Sequence, residues 1–287
     1  MDLEKAAADF QESGYALIED FLSEAEVECL RSKMHQIVED MDPTQHPKTV
    51  FTTDDDQARD HYFLESADKI RFFYEDGAFD KDGNLKVDKH LALNKVGHAL
   101  HHLDPDFHKV SFSSKVQSLV KGFGFKDPAI VQSMYIFKPP NIGGEVSAHY
   151  DGTYLRVEPN ENLMGIWFAL DDATEQNGCL WFIPGSHRSE RSHYHFARSH
   201  SPDEKRLMVF RGEKGDIDNQ AFVAVPAKKG TCVVIHGLVW HKSDANKSDK
   251  ARHAYTCHIV ETENTVWDPD NWLQETNTYK FPRLFSS

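Results

Sequence analysis

The sequence predicts an α+β fold with a mainly β core, helices first and antiparallel strands after. Three observations carry that expectation. Apolar residues recur at helical spacing in the first part of the chain. From residue 130 the apolar period changes to two and the segments shorten. Gly, Pro, Asn and Asp then punctuate the short runs, as turns between strands require. Hydrophobic residues make up 39% of the 287 and aromatics 11%, which is enough for a sizeable core and excludes a disordered chain. The expected organisation is a single domain over 1–287, with a helical part at about 1–125 and a β core at about 126–265.

Residues 20–42 read as an amphipathic helix. Ser23 and Glu26 form a capping box, and Val27, Leu30, Met34, Ile37, Val38 and Met41 follow on one stripe. Residues 42–60 read as loop, with two prolines and the acidic run Asp54-Asp55-Asp56. A second helical region is expected over about 89–122. It carries Leu91, Leu93, Val96, Leu100 and Leu103, restarts after Asp104-Pro105, and closes at Gly122 and Gly124. Lys95 falls on that stripe, where a lysine needs an anion or a route to solvent.

The runs "IVQSMYIFK", "LMGIWFAL", "CLWFIP", "FVAVP", "GTCVVIHG" and "AYTCHIVE" read as strands of a double-sheet or barrel core. Asn177-Gly178 between the second and third is a hairpin signal. The long polar interval 186–220 reads as a lid-like insertion. Arg188, Arg191, Arg198 and Lys205 make it the basic part of an acidic chain, so it is expected to meet an anionic small-molecule substrate. Its His193, His195 and His200 fit no closed four-ligand zinc site.

A net charge of −14 repels phosphate backbones and anionic lipid, so neither nucleic acid nor a membrane surface is an expected partner. No apolar run approaches the ~18 residues of a membrane span. Cys29, Cys179, Cys232 and Cys257 show no CxxC spacing. The N-terminus has no apolar signal core and "RLFSS" is not the Ser-Lys-Leu address, so a cytoplasmic location is expected. No motif sets an oligomeric state.

His-x-Asp occurs twice, at 102–104 and at 149–151. Asp104 precedes Pro105 and reads as an N-cap, which removes the first pair. His149 follows a Pro-Pro and Gly-Gly turn and a short strand, near the mouth of a β scaffold. In extended backbone His149 and Asp151 point to one face, because the strand period is two. Ninety residues past Asp151, the strand "TCVVIHGLVW" ends at His241. Arg252 then opens the next strand, and a strand–loop–strand hairpin returns it beside His241. Two His and one Asp with three open positions make the facial triad of non-haem Fe(II) oxygenases, suited to a bidentate 2-oxo acid and then O2. The far carboxylate of that acid needs a fixed cation, and the planar fork of Arg252 suits it. The same barrel also admits a non-catalytic protein that binds or senses 2-oxoglutarate and metal. A metal-dependent isomerase or hydrolase on such a barrel has no use for Arg252.

The stretches "VQSMYIFKPPNIGGEVSAHYDGTYL", "WFALDDATEQNGCLWFIPGSH" and "HKSDANKSDKARHAYT" resemble the phytanoyl-CoA dioxygenase family, and the likeness covers nearly the whole chain. That resemblance implies a double-stranded β-helix (jelly roll) with the N-terminal helices packed on it. It implies Fe(II), O2 and 2-oxoglutarate, the last decarboxylated to succinate as a small organic substrate is hydroxylated. By motif position His149, Asp151 and His241 are the implied iron ligands and catalytic residues. Arg252 and Ser243 are the implied contacts of the distal carboxylate. Lys95, Met134 and Trp167 are the remaining implied 2-oxoglutarate contacts. Tyr150 stands where many members of the wider family carry Gln, a position that bears on substrate contact. Family halogenases carry a small residue at the place of Asp151, so halogenation is not expected.

Overall fold

The computed structural model describes residues 2–50, 61–189, 194–200 and 206–285. Asp2 caps helix α1 (Leu3–Ser13) by accepting from the Lys5 amide, and Gly14 closes it at φ 84°. Strand β1 (Tyr15–Ile18) follows. Helix α2 (Glu24–Asp40) starts at the expected capping box, with Ser23 and Glu26 each satisfying the other's backbone amide. Its Val27, Leu30, Met34 and Val38 are buried. Then come α3 (His61–Leu64), β2 (Ile70–Tyr74), α4 (Lys89–Ala92), β3 (Leu93–His98), α5 (Leu100–Leu103), α6 (Pro105–Ser111) and α7 (Ser114–Gly122). The acidic run 54–56 lies outside the described residues.

The expected helical region over 89–122 is broken by β3. Leu93–His98 pairs with β2 on one side, and on the other Lys95 faces Ile136 and Gly97 faces Met134. Two backbone partners outweigh a weak helical stripe through Asn94 and Gly97. A Cβ on Gly97 would lie 3.1 Å from Met134 Cγ and 3.2 Å from the Ser133 carbonyl, so the close pairing suits glycine. Two members of the expected stripe, Leu91 and Leu103, are exposed. Asp104 is the N-cap of α6, accepting from the Asp106 and Phe107 amides.

The six sequence-predicted strands are all present. They lie among β4 (Pro128–Ile136), β5 (Val146–His149), β6 (Val157–Glu158), β7 (Leu163–Ala169), β8 (Leu180–Phe182), β9 (His195–Arg198), β10 (Met208–Arg211), β11 (Val223–Val225), β12 (Cys232–His236), β13 (His241–Ser243), β14 (Ala254–Glu261) and β15 (Val266–Trp267). A seven-stranded antiparallel sheet runs β1-β12-β7-β14-β4-β3-β2, and a four-stranded one runs β11-β8-β13-β5. The outer face of the large sheet carries Tyr135, Phe168, Tyr255 and Ile259, which pack on Leu30 and Met34 of α2 and Phe107 of α6. Its inner face carries Trp167, Val233, Ile235 and Ala254, which pack on Leu180 and Phe182 of the small sheet. Two facing antiparallel sheets with helices on the outer side of one make a jelly roll. Among the described residues no helix is long and apolar enough to cross a membrane.

Two expected hairpins are absent, for one reason. β7 and β8 belong to different sheets, and so do β13 and β14. In a jelly roll the chain alternates between sheets, so neighbours in sequence are partners across the barrel rather than along a ladder. The Asn177-Gly178 turn is real and turns the chain from one sheet to the other. Gly178 has φ 89°, and a Cβ there would lie 2.6 Å from the Asp244 carbonyl and from Lys138 Cε. Likewise "TCVVIHG" ends at His236, and His241 begins a separate strand in the small sheet.

Candidate metal centre

The small sheet brings the two histidines together. β13 pairs with β5 so that His241 stands opposite His149, with ring centroids 4.3 Å apart. His149 Nδ1 donates to the Ser147 carbonyl at 2.8 Å, and His241 Nδ1 donates to the Val239 carbonyl at 3.0 Å. Each bond fixes the tautomer that leaves Nε2 bare, as a metal ligand requires. Asp151 follows the extended Tyr150 and opens a 3-10 turn, so the pair shares a face although Asp151 is outside the strand. Its Oδ1 lies 3.7 Å from His149 Nε2 and 3.5 Å from His241 Nε2. One ligand atom from each residue falls within 4.8 Å of the others. Among the described residues this is the one such group of three potential metal ligands.

The large sheet holds the carboxylate from behind. His258 Nε2 is 3.4 Å from Asp151 Oδ2, and Gln132 Nε2 lies 3.1 Å from His258 Nδ1. Gly165 stands opposite His258, and a Cβ there would sit 3.0 Å from Asp151 Oδ2. Burial pushes the His149 imidazole down to about 3, with His241 adding to it, so this ring is neutral at physiological pH. Burial alone would raise the Asp151 carboxyl. His258, His241 and His149 outweigh it and hold the group well below the usual carboxylate range.

Arg252 is 1% exposed. Its Nε donates to the Gly178 carbonyl at 3.1 Å, its Nη2 to Ser243 Oγ at 3.2 Å, and its Nη1 has no partner. The guanidinium lies 5.2 Å from the Trp167 ring centroid. Burial lowers Arg252 to about 10, still far above neutral pH. A buried, charged guanidinium with an unmet donor is costly unless an anion joins it. Ser243 Oγ donates to the Gly178 carbonyl at 2.9 Å, so its proton is already in use in this state. Lys138, 2% exposed, donates to the Gly144 carbonyl at 2.7 Å and is lowered to about 7 by burial and then by Arg252.

One cavity of about 180 Å3 joins these groups, lined by His149, Asp151, His241, Arg252, Ser243, Met134, Trp167 and Lys95 among others. Every sequence-predicted site residue therefore lies on one cavity. Lys95 reaches it from strand β3 rather than from a helix, with its Nζ 5.6 Å from the Phe63 ring and 5.5 Å from the Phe73 ring. What the described part of 186–220 brings to the cavity is Phe196 of β9 and Phe210 of β10. Arg198 donates instead to the Asn271 and Trp272 carbonyls, and Arg188 to the Glu12 carbonyl. Arg191, His193 and Lys205 lie outside the described residues. His195 Nδ1 lies 3.4 Å from Arg156 Nη1, and His200 Nε2 is 2.9 Å from Asp270.

Sequence reasoning missed His258, Gln132, His98 and Lys138. Strand parity was the available signal. Thr256 and His258 alternate onto one face of β14, with Arg252 two residues ahead of its start at Ala254, and Gln132, Met134 and Ile136 alternate likewise on β4.

A jelly roll with this cavity between its sheets is the fold of the iron- and 2-oxoglutarate-dependent oxygenases. The epimerase SnoN, solved with Fe3+, alpha ketoglutarate and nogalamycin RO, superposes with a TM-score of 0.64 at 13% identity, covering 99% of this chain and 98% of its own. EctD from S. alaskensis, solved with 2-oxoglutarate and 5-hydroxyectoine, gives 0.61 at 19% identity over 91% and 76%. Closer in sequence is the phytanoyl-CoA dioxygenase domain-containing protein 1 homolog of Caenorhabditis briggsae. It is 52% identical over 279 residues, 96% of this chain and 97% of that one. Residues 10–254 match the phytanoyl-CoA dioxygenase (PhyH) family. The chain belongs to that family.

Proposed function

We propose that the protein is an Fe(II)- and 2-oxoglutarate-dependent dioxygenase that hydroxylates a small organic substrate, with 1–287 acting as one domain. 2-Oxoglutarate leaves as succinate and CO2. The observation that carries this reading is the unpaired Nη1 of buried Arg252 on the same cavity as the His149, Asp151 and His241 cluster. The donor set fits a ferrous ion, since two bare imidazole nitrogens and one carboxylate oxygen converge and leave the cavity side open. When bound, that ion supplies the activation of O2.

The residues have distinct tasks. His149 and His241, held by the carbonyls behind them, present Nε2 without reorganisation. Asp151 presents Oδ1 while His258 stands at Oδ2. Arg252 grips the far carboxylate of 2-oxoglutarate with Nη1 and the Ser243 hydroxyl completes that grip by turning from Gly178. Met134 and Trp167 pack along the chain of the co-substrate, and Lys95 offers its amine as a further contact. Phe63, Tyr154, Phe196, Phe210 and Trp272 form the apolar remainder of the lining and keep water from the reacting centre.

The test is succinate formation in aerated buffer containing Fe(II) and 2-oxoglutarate, with and without candidate substrates. Turnover that vanishes in His241→Ala and Asp151→Ala supports the reading. A protein that binds 2-oxoglutarate without ever consuming it is the sensing alternative.

A further inference from the structure

The cavity lining contains two buried hydrogen-bond acceptors that neither the metal cluster nor the carboxylate grip uses. His98 lines the cavity at 0% exposure and Gln132 at 5%. His98 Nε2 and Gln132 Oε1 have no partner. Neighbouring bonds fix both as acceptors.

Ser66 Oγ gives its proton to the Phe63 carbonyl at 2.5 Å, so at 2.7 Å from His98 Nδ1 it can only accept. The His98 proton therefore sits on Nδ1, and Nε2 is a bare lone pair. On the other strand, the Gln132 amide nitrogen lies 3.1 Å from His258 Nδ1, which leaves Oε1 over. An unmet buried acceptor is costly, so a donor is wanted here.

2-Oxoglutarate cannot supply it, because a dicarboxylate is all acceptor. The surroundings define what can. The His98 ring lies 5.1 Å from Trp272, 5.6 Å from Phe63 and 5.5 Å from Phe73, all apolar faces. Among the described lining residues Asp151 is the one carboxylate and it faces His149 and His241, while Arg252 is a buried guanidinium, so an ammonium would find no anion of its own to pair with. We infer that this end of the cavity recognises a neutral hydroxyl on an apolar body, with His98 Nε2 as the acceptor of its one proton and Gln132 Oε1 open to a second hydroxyl or a water. The inference rests on the proposed function and names its substrate class as a neutral alcohol rather than an anion.

The experiment uses full-length protein loaded with Zn(II), which does not turn over, and four probes of one size: benzyl alcohol, toluene, benzylamine and benzoate. Binding is followed by ligand-observed NMR with and without 2-oxoglutarate. Benzyl alcohol is expected to bind ~10-fold more tightly than the other three, because its one proton pairs His98 Nε2 without adding charge. That preference is expected to shrink at least severalfold in His98→Phe. Ser66→Ala, which frees the tautomer from outside the lining, serves should the larger change unfold the protein. It too is expected to shrink the preference. Equal binding of benzyl alcohol and toluene, a preference for benzylamine or benzoate, or a preference that survives these variants would overturn the assignment and leave water as the donor. Failure of the unaltered protein to bind 2-oxoglutarate would instead count against the proposed function; the preference for benzyl alcohol over toluene remains readable then, whereas benzoate is scored only with Arg252 occupied by 2-oxoglutarate.

Discussion

The two ends of the cavity use buried polarity in opposite senses. At one end Arg252 and Lys138 present donors, and Arg252 Nη1 is unmet. At the other, His98 and Gln132 present unmet acceptors among aromatic rings. The metal cluster lies between, on the small sheet, with His258 of the large sheet behind it. Strand register separates the ends. His258 and Ala254 lie four residues apart on β14, about 13 Å of strand, and Arg252 precedes Ala254 by two. What the contrast teaches is that one cavity separates its hydrogen-bond polarity, with an unmet donor at one end and unmet acceptors at the other; the first suits a dicarboxylate and the second does not.

The largest way to break this picture is to remove its centre. Asp151→Ala is expected to weaken Co(II) binding more than ~100-fold by calorimetry, since even supporting residues of a metal site are worth ~10–100-fold. A smaller loss would detach the two ends from any common metal. Next is the donor end. Arg252→Lys is expected to raise the KM for 2-oxoglutarate ~10–100-fold with little change in Tm, because a point charge replaces a fork that meets a carboxylate with bonds of about 1.5–3 kcal/mol. An unmoved KM would place the co-substrate elsewhere.

A finer probe addresses the wall between the ends. Gly165→Ala puts a methyl group 3.0 Å from Asp151 Oδ2, so the carboxylate must shift by a few tenths of an ångström. Metal affinity is expected to fall ~10-fold in a folded protein. Unchanged affinity would show that the seat of Asp151 is loose. The smallest effect concerns stability, where one neutral histidine stands behind each end. Burial lowers His101, beside Ser133, to about 3, and His253, beside Arg252, to about 4. Each binds a proton in the unfolded chain near 6.5 but not in the folded one, so stability is full above that pH and falls as pH drops toward the folded values. The expected slope below pH 6.5 is about 1.4 kcal/mol per pH unit for each. Chemical denaturation between pH 7 and 5 checks it, and His101→Gln is expected to flatten the curve.

Much of this was legible in the sequence, and the failures share a cause. The capping box of Ser23 and Glu26, the N-cap of Asp104 and six short strands are local features, set by backbone chemistry within a few residues. The cluster of His149, Asp151 and His241 was legible because His149 ends one strand of the small sheet, Asp151 opens the turn just past it and His241 begins the neighbouring strand. What sequence missed was pairing. Leu93–His98 reads as helix until β2 and β4 supply ladders on both sides. Asn177-Gly178 reads as a hairpin until β7 and β8 part to different sheets. Its real task is to let Lys138 and the 244 carbonyl come close and to offer its own carbonyl to Arg252 and Ser243. The roles of single side chains in 186–220 were not legible either. Arg188 and Arg198 are spent on backbone carbonyls, while Phe196 and Phe210 are what reach the cavity.

Anomalous diffraction from crystals grown without oxygen, with Fe(II) and 2-oxoglutarate, tests the central claim most directly. Iron is expected between His149 Nε2, Asp151 Oδ1 and His241 Nε2, with the far carboxylate of 2-oxoglutarate on Arg252 Nη1. Iron bound away from those three atoms, or a carboxylate that leaves Nη1 unpaired, would contradict it.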